Sequence, residues 1–464
     1  MTLNEYLVIA MFITFIGLLF TGFPIAWILA GTAVLFTCLG SVLEILEIPL
    51  GGFAEANFSV FSLSVNRIYK LGENQVLVAL PMFIYMGFML DRSGIAEKMM
   101  VSMQNLFGKV RGGLAVTVCV IGIILAASTG IVGASVVLLG VLTIPAMMSQ
   151  GYSKTFAVGT VAGSGTLGIL IPPSIMLVMM ADQLALSVGD LFMGAVFPGL
   201  ALGILYIAYI LIFGLIKPDA VPLSPDRKPF AWGLIWDVFK DVIPAACLIL
   251  AVLGSIFAGI TTPTEASGIG AAGAMVLAIT NKKFNLRVLK EVTTSAFNTT
   301  AYIYGILIGA TVFALTLRNL GGDEFIEGIL ISLPFGSWGI LAFILFIVFL
   351  LGFFLDWVEI TLIILPLVAP VIEKLPFMVE GFGLDRPVLI WFVIMIAVTL
   401  QTSFLSPPVG FALFYLKGVC PKEVSLTDIY KGVIPFIILQ LVGLLLIAFW
   451  PELVTWLPSV AYGN

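Results

Sequence analysis

Gly165-Thr166-Leu167-Gly168-Ile169-Leu170-Ile171-Pro172-Pro173-Ser174 in the first half of the chain and Gln401-Thr402-Ser403-Phe404-Leu405-Ser406-Pro407-Pro408-Val409-Gly410 in the second decide the fold. Each is an apolar run interrupted by tandem proline. Two adjacent prolines cannot sit inside a regular helix, because two amide donors are missing and the rings clash with the preceding turn. In lipid, the freed carbonyls survive only against protein or a water-filled cavity. Paired breaks at corresponding places of two halves point to the binding site of a transporter. A second match follows each break: Ser187, Asp190 and Gly194 recur as Ser425, Asp428 and Gly432, in the order Ser-x-x-Asp-x-x-x-Gly.

The rest of the chain is written for lipid. It has 464 residues, 61% hydrophobic and only 10% charged, where a soluble protein carries about 25% charged residues. Apolar stretches long enough to cross a bilayer recur from end to end, which predicts an all-α polytopic membrane protein. The stretch from Tyr6 to Phe20 lacks a basic n-region and a small-residue cleavage site, and so is expected as a helix rather than a signal peptide. A net charge of −5 with no long basic run gives no reason to expect nucleic acid. Histidine is absent, which removes the usual proton shuttle and the commonest metal ligand. Cys38, Cys119, Cys247 and Cys420 are isolated in or beside apolar runs and are expected as small buried hydrophobes. No Walker motif occurs, so the chain itself does not hydrolyse ATP.

A polar linker, 217–239, opening on Lys217 and rich in proline, divides two comparable halves, 1–216 and 240–464. Pro24 through Phe36 aligns with Pro263 through Leu277, and Pro81 through Met100 with Gly305 through Ile329, in the same order throughout. Corresponding loops differ in charge. Residues 91–111 carry Arg92, Lys98, Lys109 and Arg111, whereas 318–336 carry Arg318 with Asp323, Glu324 and Glu327. Residues 281–291 carry Lys282, Lys283, Arg287 and Lys290, whereas 41–75 carry four Glu and two basic residues. The positive-inside rule then puts matched loops on opposite sides, so the halves form inverted-topology repeats.

About five crossings per half plus one re-entrant hairpin satisfy that inversion. The first half is expected to hold helices near 5–21, 24–40, 76–90 and 190–215, a hairpin at 113–149 and a broken helix at 153–184. Hairpin arms of about ten to twelve residues, flanking a break at Ala126-Ala127-Ser128-Thr129-Gly130, are too short to span about 30 Å. The second half is expected to repeat this with a hairpin at 338–373 and a broken helix at 388–418. Both termini then face the periplasm and the linker faces the cytoplasm. Segment 41–75 departs from the symmetry and is expected along the outer surface or on a partner.

Polar groups at membrane depth are the candidate chemistry. Ser128, Thr129 and Gly130 lie at the first hairpin tip, and Gly163, Ser164, Gly165 and Thr166 just precede the first prolines. Hydroxyls and free carbonyls at one depth make an oxygen cage for a hard monovalent cation, and half-helix N-termini favour a carboxylate. Small residues there also permit close helix packing. The second half offers Gly352, Asp356 and Glu359 on its hairpin, and Thr399, Gln401, Thr402 and Ser403 before its prolines. A carboxylate at that depth costs roughly 2.5 kcal/mol or more unless paired or hydrated, which singles out Asp356. Glu359 is expected to reach a neighbouring hydroxyl or a hydrated mouth. Glu265 suits the cap of a helix start. Arg318 could draw an anion from outside or snorkel to the interface.

The chain resembles the large membrane subunit of tripartite ATP-independent periplasmic (TRAP) transporters, within the ion transporter superfamily. The resemblance rests on Gly165 through Ser174, Leu80-Pro81-Met82-Phe83 with Arg92-Ser93-Gly94-Ile95-Ala96, Gly352-Phe353-Phe354-Leu355-Asp356 and Ser406-Pro407-Pro408-Val409-Gly410, and it covers nearly the whole chain. It implies an elevator-type carrier, in which a transport domain with both hairpins and both broken helices moves against a scaffold. It also implies a small four-helix membrane subunit, a soluble periplasmic binding protein and sodium as coupling ion, with no other cofactor. Carried over by position, sodium would meet Ser128, Thr129, Gly163 and Thr166 in one half and Gly352, Asp356, Thr399 and Thr402 in the other. The family commonly has Asn, Gly and Thr where this chain has Thr399, Ser403 and Ser406.

The expected function is secondary uptake of a small organic acid (a C4-dicarboxylate, a 2-oxo acid or another monocarboxylate) across a bacterial inner membrane. Substrate would sit within reach of Ser128, Thr129, Ser164, Asp356 and Gln401, with Arg318 on its approach. A stand-alone sodium:anion symporter is the rival inside transport. An intramembrane enzyme fits poorly, because no paired Asp or Ser/Lys motif shares a helix face.

Overall fold

The computed structural model describes residues 2–48, 57–129, 132–223 and 232–462, except for the side chains of 125–129. All regular structure among them is helical. In chain order the principal helices begin with α1 (Leu3–Leu19), α2 (Ile25–Ile45), α3 (Leu63–Glu73), α4 (Gln75–Arg92) and α5 (Ile95–Phe107). Next come the hairpin α6 (Gly113–Thr129) and α7 (Val132–Ser149), the broken helix α8 (Lys154–Thr166) and α9 (Ile175–Leu184), and α10 (Val188–Ile216). The chain continues through α11 (Trp232–Phe257), α12 (Pro263–Thr280), α13 (Leu286–Asn319) and α14 (Gly322–Ser332). It closes with α15 (Gly336–Leu351), α16 (Leu365–Lys374), the broken helix α17 (Pro387–Leu405) and α18 (Phe411–Val419), α19 (Leu426–Phe449) and α20 (Glu452–Tyr462). Eight of these are long and apolar enough to cross a membrane: α2, α4, α7, α10, α11, α13, α17 and α19. The protein is an all-α polytopic membrane protein.

Both proline pairs end a helix as expected. After α8 the backbone tightens into a 3-10 turn at Leu167–Ile169, and Ser174 closes the gap by donating its hydroxyl to the Ile169 carbonyl. After α17, Ser406 Oγ donates to the Thr402 carbonyl (2.8 Å), and Tyr430 OH donates to the Pro408 carbonyl (2.8 Å). Gly410, at φ +35°, then starts α18, a conformation that L side chains rarely adopt. The recurring Ser-x-x-Asp-x-x-x-Gly also gains a physical meaning. Ser187 Oγ accepts from Asp190 N (3.2 Å) and Ser425 Oγ from Asp428 N (3.1 Å), so each serine is the N-cap of the helix that follows. Each glycine marks a close crossing, met by the Val454 backbone at Gly194 and by the Thr155 backbone at Gly432.

Two expectations are corrected. The arms of the first hairpin run 17 and 18 residues, not ten to twelve. Helix α6 continues through Ala126 and Ala127 to Thr129 because alanine is the best helix former, not a breaker; residues 130–131 lie outside the described structure. Among the cysteines, only Cys119 is buried, while Cys38 and Cys247 are exposed on their helices and Cys420 is half-buried.

The chain divides into two compact units that do not follow the two halves of the sequence. The first contains Met1–Leu77 and Asn298–Phe377, the second Val78–Phe297 and Met378–Asn464. The division falls inside α4 and inside α13, both continuous helices. In the first unit, Phe313 packs on Phe12 and Phe15 (ring centroids 6.1 and 5.3 Å), and Phe20 packs on Phe354 at 5.6 Å. An ion pair between Lys374 and Glu327 joins α16 to α14.

The second unit groups the first hairpin with both broken helices. Its centre is α17, where every residue from Leu389 to Leu405 is buried. Beside it, α8 is buried from Phe156 to Thr166. Helices α8 and α19 cross almost without side chains. A Cβ on Gly159 would lie 2.1 Å from the Gly432 carbonyl oxygen, and one on Gly432 would lie 2.2 Å from the Thr155 carbonyl oxygen. Small residues are what let membrane helices approach so closely.

Candidate ion and substrate site

In the second unit the candidate site is the last two turns of α8 and of α17. Thr166 Oγ1 donates to the Gly163 carbonyl (2.9 Å), which keeps the hydroxyl at the end of α8 rather than out to the side. Gly163 lies under the Phe436 ring, 2.4 Å from where a Cβ would sit. Ser164 turns the other way, toward α6, where Gly122 leaves it room; a Cβ on Gly122 would come within 2.8 Å of Ser164 Cβ. Helix α6 carries Ser128 and Thr129 to its end, but their side chains lie outside the described residues.

On α17, Thr399 Oγ1 donates to the Met395 carbonyl and Thr402 Oγ1 to the Val398 carbonyl, both at 2.8 Å. Such i−4 bonds spend the hydroxyl proton inside the helix and leave the oxygen lone pairs as acceptors. These are neutral oxygens suited to a hard cation. Gln401, between the two threonines, turns to α8: its Nε2 donates to Thr166 Oγ1 (3.5 Å) and to Tyr206 OH (3.4 Å). The two proline breaks are therefore joined by a direct side-chain contact. Gln440 of α19 also donates to Thr166 Oγ1 (3.5 Å).

Gln440 and Tyr206 escaped the sequence reading. A glutamine at the centre of the apolar run 426–449 was the available signal, since polar side chains inside membrane helices are costly and mark function. Tyr206 gave no comparable signal, because tyrosine is ordinary in membrane helices.

In the first unit the candidate group is the turn between α15 and α16. Gly352 caps α15 and is buried. Asp356, half-buried, is the N-cap of a short helix, Trp357–Glu359, and its Oδ1 accepts from Trp357 N (2.8 Å). A π-helical turn, Ile360–Ile364, follows at once, a distortion frequent at functional sites. Glu359 does not reach a hydrated mouth: it is 0% exposed, and neither carboxyl oxygen has a hydrogen-bond partner of good geometry among the described residues. Thr361 Oγ1 is buried and equally unmatched. Asp356 acts on Glu359 electrostatically as a second acid, so this turn concentrates acceptors and a cation would relieve it.

The expected second sodium set is thus spread two and two: Gly352 and Asp356 belong to the first unit, Thr399 and Thr402 to the second. Arg318 is in an exposed ion pair, Nε to Asp323 Oδ2 at 2.7 Å. Burial lowers the Arg67 guanidinium on α3 from its ordinary range, and repulsion from Arg318 adds to that, so two cations converge on Asp323. Glu265 forms the expected cap, accepting from Thr262 N (2.8 Å) and Thr262 Oγ1 (2.9 Å). No group of three or more His, Cys, Asp or Glu side chains that could hold a metal ion occurs among the described residues.

Comparison with known proteins follows the same lines. The family described as tripartite ATP-independent periplasmic transporter, DctM component, matches residues 12–453. The C4-dicarboxylate TRAP transporter large permease protein DctM of Vibrio cholerae is 29% identical over 475 residues, covering 98% of each chain. The isethionate TRAP transporter permease protein DctMQ of Oleidesulfovibrio alaskensis is 29% identical over 383 residues, which is 81% of this chain and 57% of that one. Among solved structures, the YdaH transporter of Alcanivorax borkumensis superposes with a TM-score of 0.57 over 92% of this chain and 98% of that one, at 14% identity. That likeness speaks for the fold alone.

Proposed function

This chain belongs to the DctM family of tripartite ATP-independent periplasmic transporter large permeases, and from that premise we propose that it couples uptake of a small organic acid to sodium. The observation that carries this reading is the pair of oxygen-rich turns before the proline breaks, joined by Gln401 and Thr166. Sodium binds the carbonyl of Gly163 and the hydroxyl of Thr166, with Ser128 and Thr129 of the first hairpin, in one set; the hydroxyls of Thr399 and Thr402 supply a second, and Gly352 with Asp356 are the acidic candidates of the first unit. Half-helix ends beside these oxygens then favour a carboxylate. Relatives named for C4-dicarboxylate and for isethionate share one chemistry, a small organic anion, which supports an acid as cargo here.

A small four-helix membrane subunit and a soluble binding protein complete the transporter, in a bacterial inner membrane with both termini periplasmic. Two inverted repeats, 1–216 and 240–464, supply an elevator movement. Ion binding has to favour the substrate-competent state differentially, or no coupling results.

The test is uptake of a carboxylate panel by proteoliposomes containing the large and small subunits, with and without a sodium gradient and the binding protein. Accumulation that needs both sodium and the binding protein is the expected result. Sodium-driven uptake without any binding protein would make the chain a stand-alone symporter, and uptake indifferent to sodium would remove the coupling ion.

A further inference from the structure

Four fully buried polar side chains from four helices of the second unit form one cluster around the Thr166 hydroxyl. Thr166 (α8), Gln401 (α17), Gln440 (α19) and Tyr206 (α10) are each 0% exposed. Both glutamine amides reach Thr166 Oγ1 at 3.5 Å, and the Tyr206 hydroxyl interacts with both glutamine side chains. The Thr166 hydroxyl, its proton already on the Gly163 carbonyl, has its two lone pairs covered by the two amides. Yet both carboxamide oxygens, Gln401 Oε1 and Gln440 Oε1, lack a donor among the described residues. A bundle shaped for stability alone would gain by replacing such groups with apolar side chains of the same volume. At 3.4 to 3.5 Å, moreover, these contacts sit at the long limit of hydrogen bonding and release with a small shift of any one helix.

We propose that Gln440, with Tyr206, is a positioning residue that holds the Gln401 carboxamide on Thr166, so that ion occupancy before one proline break is felt before the other. The inference rests on the reading that sodium binds at those turns. A cation at the Gly163 and Thr166 oxygens competes with the two amides for the same lone pairs. Thr399 and Thr402, three residues apart, share one face of α17 with Gln401 off to its side, so a cation there acts on the junction through α17 itself. The first ion therefore breaks the junction and the second binds without breaking it, which is positive cooperativity. Linkage makes the effect reciprocal between the two turns.

The experiment measures sodium dependence of uptake in the complete reconstituted transporter, alongside thermal stability of the purified large subunit. Wild type is expected to give a Hill coefficient approaching about two, the number of linked turns. Gln440→Met and Tyr206→Phe keep volume while removing the polar contact, and each is expected to lower the coefficient toward one. Their thermal midpoint is expected to hold or rise, because Gln440→Met also removes an unmatched oxygen. The double variant Gln401→Met/Gln440→Met is expected to show no further loss of cooperativity than either single variant. A wild-type coefficient of one, or an unchanged coefficient in both single variants, overturns the inference. So does a fall in thermal midpoint and maximal rate with cooperativity intact, which is what a purely structural role gives. Sodium-independent uptake by wild type would instead sink the underlying ion reading.

Discussion

The turns before the proline breaks and the turn after α15 use different chemistry. The former are neutral: hydroxyls back-bonded to their own helices, one amide bridging α17 to α8, and glycines packed to backbone contact. The latter is acidic and loosely matched: a capping aspartate, a buried glutamate without a well-placed donor and a π-helical turn. Neutral oxygens can wait for an ion at little cost, because their protons are already placed. The buried Glu359 carboxyl cannot, and with the capping Asp356 beside it this turn is the stronger attractor and the less stable resting state.

The comparison breaks most completely at the packing that the neutral region depends on. Gly159→Val drives a branched side chain into the Gly432 carbonyl; with overpacking costs of about 1–3 kcal/mol or more, folded protein is expected to disappear from membranes, as fluorescence-detected gel filtration would show. Asp356→Ala is expected to abolish sodium-dependent uptake while membrane expression stays intact, and normal transport by that variant would sink its assignment. Glu359→Gln removes a buried acid without changing shape. Its thermal midpoint should rise while uptake falls by roughly tenfold, about 1.4 kcal/mol, and a drop in both would mean that the acid is structural. Thr399→Val, isosteric but without a lone pair, should raise half-saturating sodium about fivefold, roughly 1 kcal/mol. Ser425→Ala should cost about 1 kcal/mol of stability through loss of the cap with sodium affinity unchanged, so a change in affinity would tie the cap to the ion turns.

The helices and their breaks were legible in the sequence because their causes are local. Proline removes its own donor, and apolar length declares itself. Ser187 and Asp190 were legible as a repeated pattern, while their work as a cap needed the backbone. The contacts that define the candidate site were not legible. Thr166 meets Gln401 across 235 residues and Gln440 across 274, and nothing in either local segment encodes the partner. The resemblance grouped both hairpins with both broken helices; the second unit holds only the first hairpin with them, the second hairpin belonging to the first unit, and that division follows from crossings such as Gly159 on Gly432. Sequence overstated the break in the first hairpin, where small residues suggested irregularity and alanines made helix.

That glycine crossing also sets an order of events during synthesis. Helix α8 has 13 residues, several of them glycine or threonine, and it is not among the helices long and apolar enough to cross a membrane by themselves. A translocation channel would have little reason to release it into lipid alone. Its packing partner α19 is made some 260 residues later, roughly 13 to 50 seconds on at ordinary elongation rates. Until then its bare glycine face has no mate, so the nascent chain has to shelter α8 among earlier helices and admit α19 to a slot held open for it.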